Sequence, residues 1–107
     1  MTPVKIALAD AARKLAEAGT PSVTLMTKDD GRLVLFAPDG VDRQTPHAQD
    51  EFYVILSGSG TFRRGEELVP FAPGDVLFVP ARMEHRFETF SDDFRTWVIF
   101  FGPHVEN

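Results

Sequence analysis

From residue 22 onward, apolar and polar residues follow the period of two that is typical of β-strands. The runs with this pattern are short, and glycine, proline or aspartate separates each from the next. The pattern predicts eight strands, at residues 23–28, 32–37, 51–56, 61–64, 67–69, 76–79, 84–90 and 94–101. Many short strands at near-regular spacing indicate an all-β antiparallel sandwich or barrel.

The first 20 residues have a different pattern, in which apolar residues recur at intervals of three and four. This spacing predicts an amphipathic α-helix whose apolar stripe packs on the sheet. Thr2 is a suitable N-cap and Pro3 a suitable first helical residue, so we expect the helix to begin there. Gly19 has the usual position of a helix terminator. The residues expected on the apolar stripe are Val4, Leu8, Ala11, Leu15 and Ala18.

Composition limits the classes of protein to which the chain can belong. Its 107 residues suggest a single domain, with a helix at 1–20, a barrel at 21–103 and a tail at 104–107. The absence of cysteine excludes disulfides and thiolate metal ligands. A net charge of −5 argues against a nucleic-acid partner, and no apolar run approaches the ~18 residues of a membrane span. The N-terminus lacks the layout of a secretory signal, and we expect a cytoplasmic protein.

Two segments carry side chains that suit metal binding. His47, Gln49 and Glu51 have the same strand parity, so we expect them on one face. His85 and Phe87 share a face of another strand. If both faces line one barrel interior, two imidazoles and a carboxylate converge there. This ligand set suits iron, zinc or manganese.

The spacing between His47 and Glu51 imposes a condition on such a site. Four residues of straight strand rise about 13 Å, whereas metal–ligand bonds measure only about 2 Å. Two alternatives satisfy the condition. A bulge or bend near Gln49 and Asp50 shortens the gap, or Gln49 lies between the two ligands and contributes its amide oxygen.

Glycine, proline and histidine recur at fixed spacings in the same two segments. The residues concerned are Gly40, His47, Glu51 and Gly58 in the first segment, and Gly74, Pro80 and His85 in the second. Together with the runs at 53–58 and 73–80, these spacings resemble the two motifs of the cupin superfamily. The resemblance implies a small single-domain cupin, which is a jelly-roll β-barrel of two antiparallel sheets.

The chain departs from the cupin motifs at several positions. The first motif normally has His-x-His before the glutamate, and here one imidazole is missing. If His47 is the second histidine, Thr45 stands in the place of the first; if His47 is the first, Gln49 replaces the second. In the second motif, Arg82 takes the place of a glycine and Thr89 that of an asparagine.

The resemblance implies a metal-binding protein with one divalent transition metal ion, which would be iron, manganese, zinc or nickel. Its ligands would be His47, Glu51 and His85, with Gln49 as a further contact. Cupins include dioxygenases, isomerases and ligand-sensing domains, and the fold does not decide among them. We expect either a dioxygenase-like or isomerase-like enzyme acting on a small carbonyl, enol or carboxylate compound, or a non-catalytic small-ligand-binding or sensing module. A cupin without metal is the third alternative.

Further expectations concern groups outside this ligand set. Tyr53 shares parity with Glu51, so its hydroxyl is a candidate catalytic proton donor, and both Tyr53 and Phe87 are candidate substrate contacts. We expect a homodimer that forms through an edge strand or the apolar helix stripe, because small barrels leave such surfaces uncovered. His104 lies in the tail, where we expect it to be exposed and unrelated to the site.

Overall fold

Across residues 2–106, the computed structural model has one helix followed by eight strands in two antiparallel sheets. All eight predicted strands are confirmed. The elements are α1 Leu8–Ala18, β1 Ser22–Lys28, β2 Gly31–Phe36, β3 Asp50–Ser57, β4 Gly60–Arg64, β5 Glu67–Phe71, β6 Val76–Val79, β7 His85–Phe90 and β8 Arg95–Phe101. The larger sheet has the strand order β1-β2-β8-β3-β6, and the smaller sheet has the order β5-β4-β7.

The interior lies between the two sheets, and alternate residues of each strand face it. On β3, Glu51, Tyr53 and Ile55 are buried, whereas Phe52 is 37% exposed on the outer face. Aromatic rings from both sheets dominate the interior. The core residues are Val34, Phe36, Tyr53, Ile55, Phe62, Phe71, Val79, Phe87, Phe94, Val98 and Phe100.

The helix begins at Leu8, and the predicted start at Thr2–Pro3 is wrong. Ala7 has an extended backbone before the first helical residue, and no side chain of the described chain caps it. The helix forms where its apolar face packs on β1 and β2, with Ala11 fully buried. Val4, which lies before the helix, buries no apolar area because its side chain is fully exposed. Tertiary packing, which supplies most helical stability in proteins, therefore outweighs the local capping signal.

The end of the helix agrees with the prediction. Gly19 has a left-handed backbone with a φ of 66°, and its N–H donates to the carbonyl of Leu15 at 3.3 Å. A glycine in this conformation is a common helix terminator because it carries no Cβ that would clash. Among the described residues, no helix has both the length and the apolar character needed to cross a membrane.

A bend before β3 brings the histidine segment to one end of the barrel. The strand starts at Asp50 and the chain bends at residues 48–49, so a bend shortens the path from His47 to Glu51, as the first of the two alternatives requires. The carbonyl of His47 accepts a hydrogen bond from the backbone N–H of Arg82 at 2.7 Å. Arg82 has a φ of 68°, a conformation that explains why the motif usually has glycine there. The two motif segments are thus joined directly through their backbones.

Candidate metal centre

Three candidate ligands meet at one end of the interior. The donor atoms of His47, Glu51 and His85 all lie within 4.8 Å of one another. The side chains of His85 and Glu51 are 0% and 1% exposed, and His85 Nε2 lies 2.7 Å from Glu51 Oε1. His47 is half-buried, and its ring centre is 5.5 Å from that of His85. The structure thus brings two imidazoles and one carboxylate together.

Both sheets contribute to this cluster. Glu51 is the second residue of β3 and pairs with Phe100 of β8, while β6 lies on its other side. His85 opens β7 and pairs with Arg64 of β4 in the smaller sheet. Strand alternation directs both side chains into the interior, and the bend before β3 adds His47.

A backbone contact fixes the tautomer of His85. Its Nδ1 lies 2.9 Å from the carbonyl oxygen of Met83, which can only accept, so Nδ1 carries the hydrogen and donates it. In the neutral ring, Nε2 then presents a lone pair toward Glu51. A lone pair that faces a carboxylate is repelled unless a proton or a cation lies between them.

Two buried atoms of the cluster, Glu51 Oε2 and His85 Nε2, have no hydrogen-bond partner within residues 2–106. The 2.7 Å contact between Glu51 and His85 is short, but its geometry is not that of a hydrogen bond. A buried polar group without a partner costs about 1–3 kcal/mol, and more when it is charged. A divalent cation would give both atoms a partner, and histidine with carboxylate is a donor set that transition metals accept. The residues therefore fit a metal ion.

The two histidines have opposite pKa shifts. Burial lowers the pKa of His47, and the nearby His85 and Arg32 add to the decrease, although Glu51 opposes it. Burial also acts to lower the pKa of His85, but Glu51 and the Met83 carbonyl outweigh it, so this pKa is raised. His47 therefore stays neutral near pH 7, as a metal ligand must be. A metal would compete with a proton for Nε2 of His85.

Tyr53 belongs to the same polar network. Its hydroxyl lies 2.9 Å from Gln44 Oε1, to which it donates, and 3.2 Å from Glu51 Oε1. Burial, followed by the charge of Glu51, raises the pKa of Tyr53 well above its usual value of 10. The hydroxyl therefore keeps its proton at neutral pH. The side chain is fully buried, so this candidate proton donor faces the carboxylate and not an open surface.

Two residues of this network, Asp42 and Gln44, were missed from the sequence. Asp42 is 3% exposed and accepts hydrogen bonds from Gln44 N at 3.0 Å, Gln44 Nε2 at 2.8 Å and Phe87 N at 2.8 Å. Gln44 Oε1 lies 3.4 Å from His47 Nε2. An acidic residue in a polar loop is ordinarily solvated, so nothing in the sequence predicts the burial of Asp42. The position of Gln44 could have been noticed, because Gln44 adjoins Thr45, which takes the place of a motif histidine.

Three residues considered from the sequence lie outside the cluster. Gln49 donates through Nε2 to the carbonyl oxygens of Asp30 and Gly102, so its amide links the turn before β2 to the residue after β8. Thr45 is exposed. Phe87 is 1% exposed and packs in the aromatic core. The placements of Gln49 and Phe87 differ from the expected metal and substrate contacts because hydrogen bonding and packing occupy these side chains.

A cavity of about 160 Å³ opens beside His47, and Gln44 and Arg32 also line it. The guanidinium carbon of Arg32 lies 4.4 Å from the ring centre of Phe100, and His47 meets the same ring edge-on at 5.0 Å. The other two candidate ligands are fully buried, so the cavity reaches the cluster through His47. A larger depression of about 570 Å³, lined by described residues between 19 and 44, contains none of the three candidate ligands.

Comparison with known sequences gives this geometry a family context. The family model described as Cupin domain matches residues 32–100, which include all three candidate ligands. An uncharacterised protein of Streptomyces coelicolor is 42% identical over 71 residues, which is 64% of this chain and 68% of that protein.

Solved structures agree in fold. A cupin superfamily protein from Desulfitobacterium hafniense is similar with a TM-score of 0.61 and 25% identity, over 79% of this chain and 76% of its own. A protein of unknown function from Rhizobium leguminosarum has a TM-score of 0.71 and 19% identity, over 97% of this chain and 100% of its own, which is a likeness of fold alone. Since the family model spans most of the chain and the two antiparallel sheets form the jelly-roll barrel, this chain belongs to the cupin family.

Proposed function

We propose that this cupin binds one divalent transition metal ion, either iron, manganese, zinc or nickel, through His47, Glu51 and His85, and that it acts on a small carboxylate-bearing compound. The observation that carries the proposal is the pair of buried atoms, Glu51 Oε2 and His85 Nε2, that lack a hydrogen-bond partner in the described chain. A divalent metal held there would act as a Lewis acid toward a carbonyl, enol or carboxylate oxygen.

The protein's own groups would orient such a reaction. The Met83 carbonyl holds the His85 ring so that Nε2 faces Glu51. The Tyr53 hydroxyl lies 3.2 Å from Glu51 Oε1, and its raised pKa keeps it protonated, so a neutral hydroxyl and not a second negative charge lies beside the carboxylate. Because Glu51 and His85 are buried, a compound would approach through the cavity beside His47.

Arg32 supports a carboxylate as the anchoring group of that compound. Its guanidinium stacks on Phe100, the ring that His47 also contacts. In the described part of the chain, no ion pair engages Arg32. A guanidinium binds a carboxylate through two parallel hydrogen bonds, which orients as well as attracts it. A small compound anchored at Arg32 would present its other oxygen toward His47.

Elemental analysis by mass spectrometry tests the metal site. Untagged protein that has been loaded with each candidate metal and then dialysed should retain about one ion per chain. His47→Ala and His85→Ala should lose most of it. His104→Ala removes an exposed tail histidine and serves as the matched control, which should keep the wild-type stoichiometry. Folding of each variant is checked by circular dichroism. No retention by the wild type, or equal retention by both cluster variants, would overturn the proposal.

A non-catalytic ligand-binding or sensing module is the second candidate. The enclosure of the centre favours it, because two candidate ligands are fully buried and the adjoining cavity is small. Metal-loaded protein is incubated with small 2-oxo and 2-hydroxy acids while the compounds and dissolved O₂ are measured. Consumption of a compound identifies an isomerase-like enzyme, or a dioxygenase-like one if O₂ is also used. Stoichiometric retention without consumption identifies the module.

Homodimerisation and a cytoplasmic location stay predictions. The middle of the helix stripe is covered, since Ala11 is buried and Leu8 and Leu15 are partly buried where α1 packs on the larger sheet. The outer face of β3, β6 and β8, however, exposes Phe52, Phe78 and Ile99. Apolar surface of this kind often marks a protein–protein contact, which supports association of two chains through the sheet. A monomeric mass in sedimentation would remove this part of the proposal.

A further inference from the structure

We infer that the side-chain oxygen of Gln44 is the fourth protein donor of the metal centre. The inference rests on the proposed function, which assigns His47, Glu51 and His85 as the other three donors. It identifies the group that replaces the histidine missing from the first cupin motif. That group comes neither from Thr45, which is exposed, nor from Gln49, whose amide is held between the Asp30 and Gly102 carbonyls and which, unlike Gln44, does not line the cavity beside His47.

Asp42 fixes the orientation of the Gln44 amide. The buried Asp42 carboxylate accepts from Gln44 Nε2 at 2.8 Å and from Gln44 N at 3.0 Å. Because a carboxylate only accepts, the amide nitrogen must face Asp42, and the oxygen must face the other way. Phe87 N also donates to Asp42 at 2.8 Å, which ties the arrangement to β7, the strand that carries His85. A flipped amide would place its oxygen against the carboxylate.

The Gln44 oxygen lies beside the His47 donor and is linked to Glu51 through the Tyr53 hydroxyl. It is 3.4 Å from His47 Nε2 and 2.9 Å from the Tyr53 hydroxyl, which is itself 3.2 Å from Glu51 Oε1. Donor atoms that bind one metal at about 2.0–2.2 Å lie roughly 3.0–3.5 Å apart. The separation of Gln44 and His47 falls in this range, whereas it is long for an N–H···O hydrogen bond, which usually measures about 2.7–3.2 Å. The two atoms are therefore placed as neighbouring ligands.

The chemistry of the amide suits this role. An uncharged oxygen beside two imidazoles and one carboxylate is a donor that divalent transition metals accept without added negative charge. The hydrogen bond from Gln44 Nε2 to Asp42 draws electron density toward Oε1 and strengthens it as a donor. Outer carboxylates raise the basicity of ligating histidines in the same way. The burial of Asp42, which the sequence gives no reason to expect, thus acquires a function.

Cobalt(II) binding to the purified protein tests the role of Gln44. The visible absorption of bound Co²⁺ reports its coordination, and competition with a chelator gives the affinity. Gln44→Leu should weaken Co²⁺ binding about 10–100-fold and change the spectrum. Gln49→Ala removes the other glutamine and is the matched control, which should keep the wild-type spectrum and affinity.

A measurement on the wild-type chain avoids any folding effect of the variants. The chain has two glutamines, Gln44 and Gln49, so labelling with ¹³C-glutamine gives two side-chain carbonyl resonances. Saturation with Zn²⁺ should shift the Gln44 resonance and leave that of Gln49 nearly in place.

The outcomes separate this inference from the proposed function. If the wild type binds Co²⁺, His85→Ala abolishes binding, and Gln44→Leu behaves as the wild type, the inference is overturned and the proposed function stands. A Gln44 resonance that Zn²⁺ leaves unmoved also overturns it. If the wild type binds no Co²⁺, or His85→Ala binds it equally well, the proposed function fails and the inference fails with it.

Discussion

The two ends of the barrel interior are built from the same strands but have opposite chemistry. β3 contributes Glu51 to one end and Ile55 to the other, and β7 begins with His85 and continues to Phe87. At the polar end, two buried atoms lack a hydrogen-bond partner among the described residues. At the apolar end, neighbouring aromatic rings pack at centroid distances of 4.6–5.3 Å, with Phe62, Phe71, Phe87 and Phe94 as members.

This difference indicates a division between stability and function within a single core. Close aromatic packing buries large apolar area and has no unsatisfied groups, so the apolar end stabilises the fold. The polar end lowers stability in the absence of a metal, because it buries donor atoms without partners. Local conflicts of this kind are expected at functional sites and are compensated elsewhere in the structure. Substitutions at the two ends should therefore affect different measurements.

The largest effect on stability is expected from Phe87→Ala at the apolar end. The Phe87 ring is 1% exposed and contacts aromatic rings from both sheets, including Phe36 and Phe71. Its removal leaves a cavity, so the free energy of unfolding in urea should fall by about 3–5 kcal/mol. Phe52→Ala is the matched control, because Phe52 is 37% exposed on the outer face, and its loss should be clearly smaller. Equal losses for the two variants would contradict the division.

At the polar end, Glu51→Gln should affect metal binding more than stability. Replacing a ligand carboxylate should weaken metal affinity at least about 100-fold, since even residues that only support ligands account for 10–100-fold. Gln49→Ala, in contrast, should affect stability more than metal binding. It leaves the carbonyls of Asp30 and Gly102 without their donor, which costs about 1–3 kcal/mol of unfolding free energy, while metal affinity changes little. Chelator competition and urea denaturation measure the two effects. A larger loss of affinity in Gln49→Ala would refute the ligand assignment.

The free energy of unfolding of the metal-free protein should depend on pH, because His85 binds a proton more tightly in the folded state. Burial opposes the shift, but Glu51 and the Met83 carbonyl raise the His85 pKa above its usual value of 6.5. The folded state then binds this proton more tightly than the unfolded state does. The resulting stabilisation is complete below pH 6.5 and is lost as the pH rises through the folded-state pKa. For one proton, the slope reaches at most about 1.4 kcal/mol per pH unit.

Urea denaturation of the metal-free protein between about pH 6 and pH 8.5 measures this slope. The wild type should lose stability with rising pH relative to His85→Gln, which lacks the titrating group. His47, whose lowered pKa affects stability below about pH 6.5, is present in both proteins, so its contribution is common to the two curves. Added Zn²⁺ should stabilise the protein more as the pH rises, because it competes with the proton. Parallel curves for the wild type and His85→Gln would show that His85 is not the group involved.

Most of the fold was predictable because its signals are local. Strand periodicity and the separating turns depend on neighbouring residues, so all eight strands were found. The motif glycine at position 58 also has a clear cause, since its φ is 84° and a Cβ added there would lie 2.6 Å from Phe94 Cα. The helix start was not predictable, because it depends on the contact of Ala11 with the sheet, whereas the capping signal at Thr2 is local.

The candidate site was predictable only where strand parity or motif spacing applied. Strand parity predicted that Glu51 and His85 would each share a face with other site residues. A bend before β3, one of the two alternatives, brings His47 to the same point. Asp42 and Gln44 were not found, because their roles depend on a loop that folds back onto β7. The hydrogen bond from Phe87 N to Asp42 joins residues 45 positions apart in the sequence, and no local pattern reports such a contact.

The smallest effect is expected at Tyr53, the residue that joins the two ends. Its ring centre lies 4.9 Å from that of Phe87 and 5.6 Å from that of Phe62, and its hydroxyl donates to Gln44. Tyr53→Phe keeps the ring and removes only the hydroxyl, so the apolar end should be unaffected. The metal-free protein should lose about 1 kcal/mol of unfolding free energy, the usual net contribution of one hydrogen bond.

Comparison with Tyr53→Leu tests which end Tyr53 supports. Leucine removes the aromatic ring as well as the hydroxyl, so the loss of unfolding free energy in urea should be larger than in Tyr53→Phe. Metal affinity should change little in Tyr53→Phe, because the oxygens of Gln44 and Glu51 lose a competing donor and keep their positions. If Tyr53→Phe destabilises the protein as much as Tyr53→Leu does, the hydroxyl and not the ring holds the two ends together. The polar end would then contribute to stability, and the division between the two ends would no longer hold.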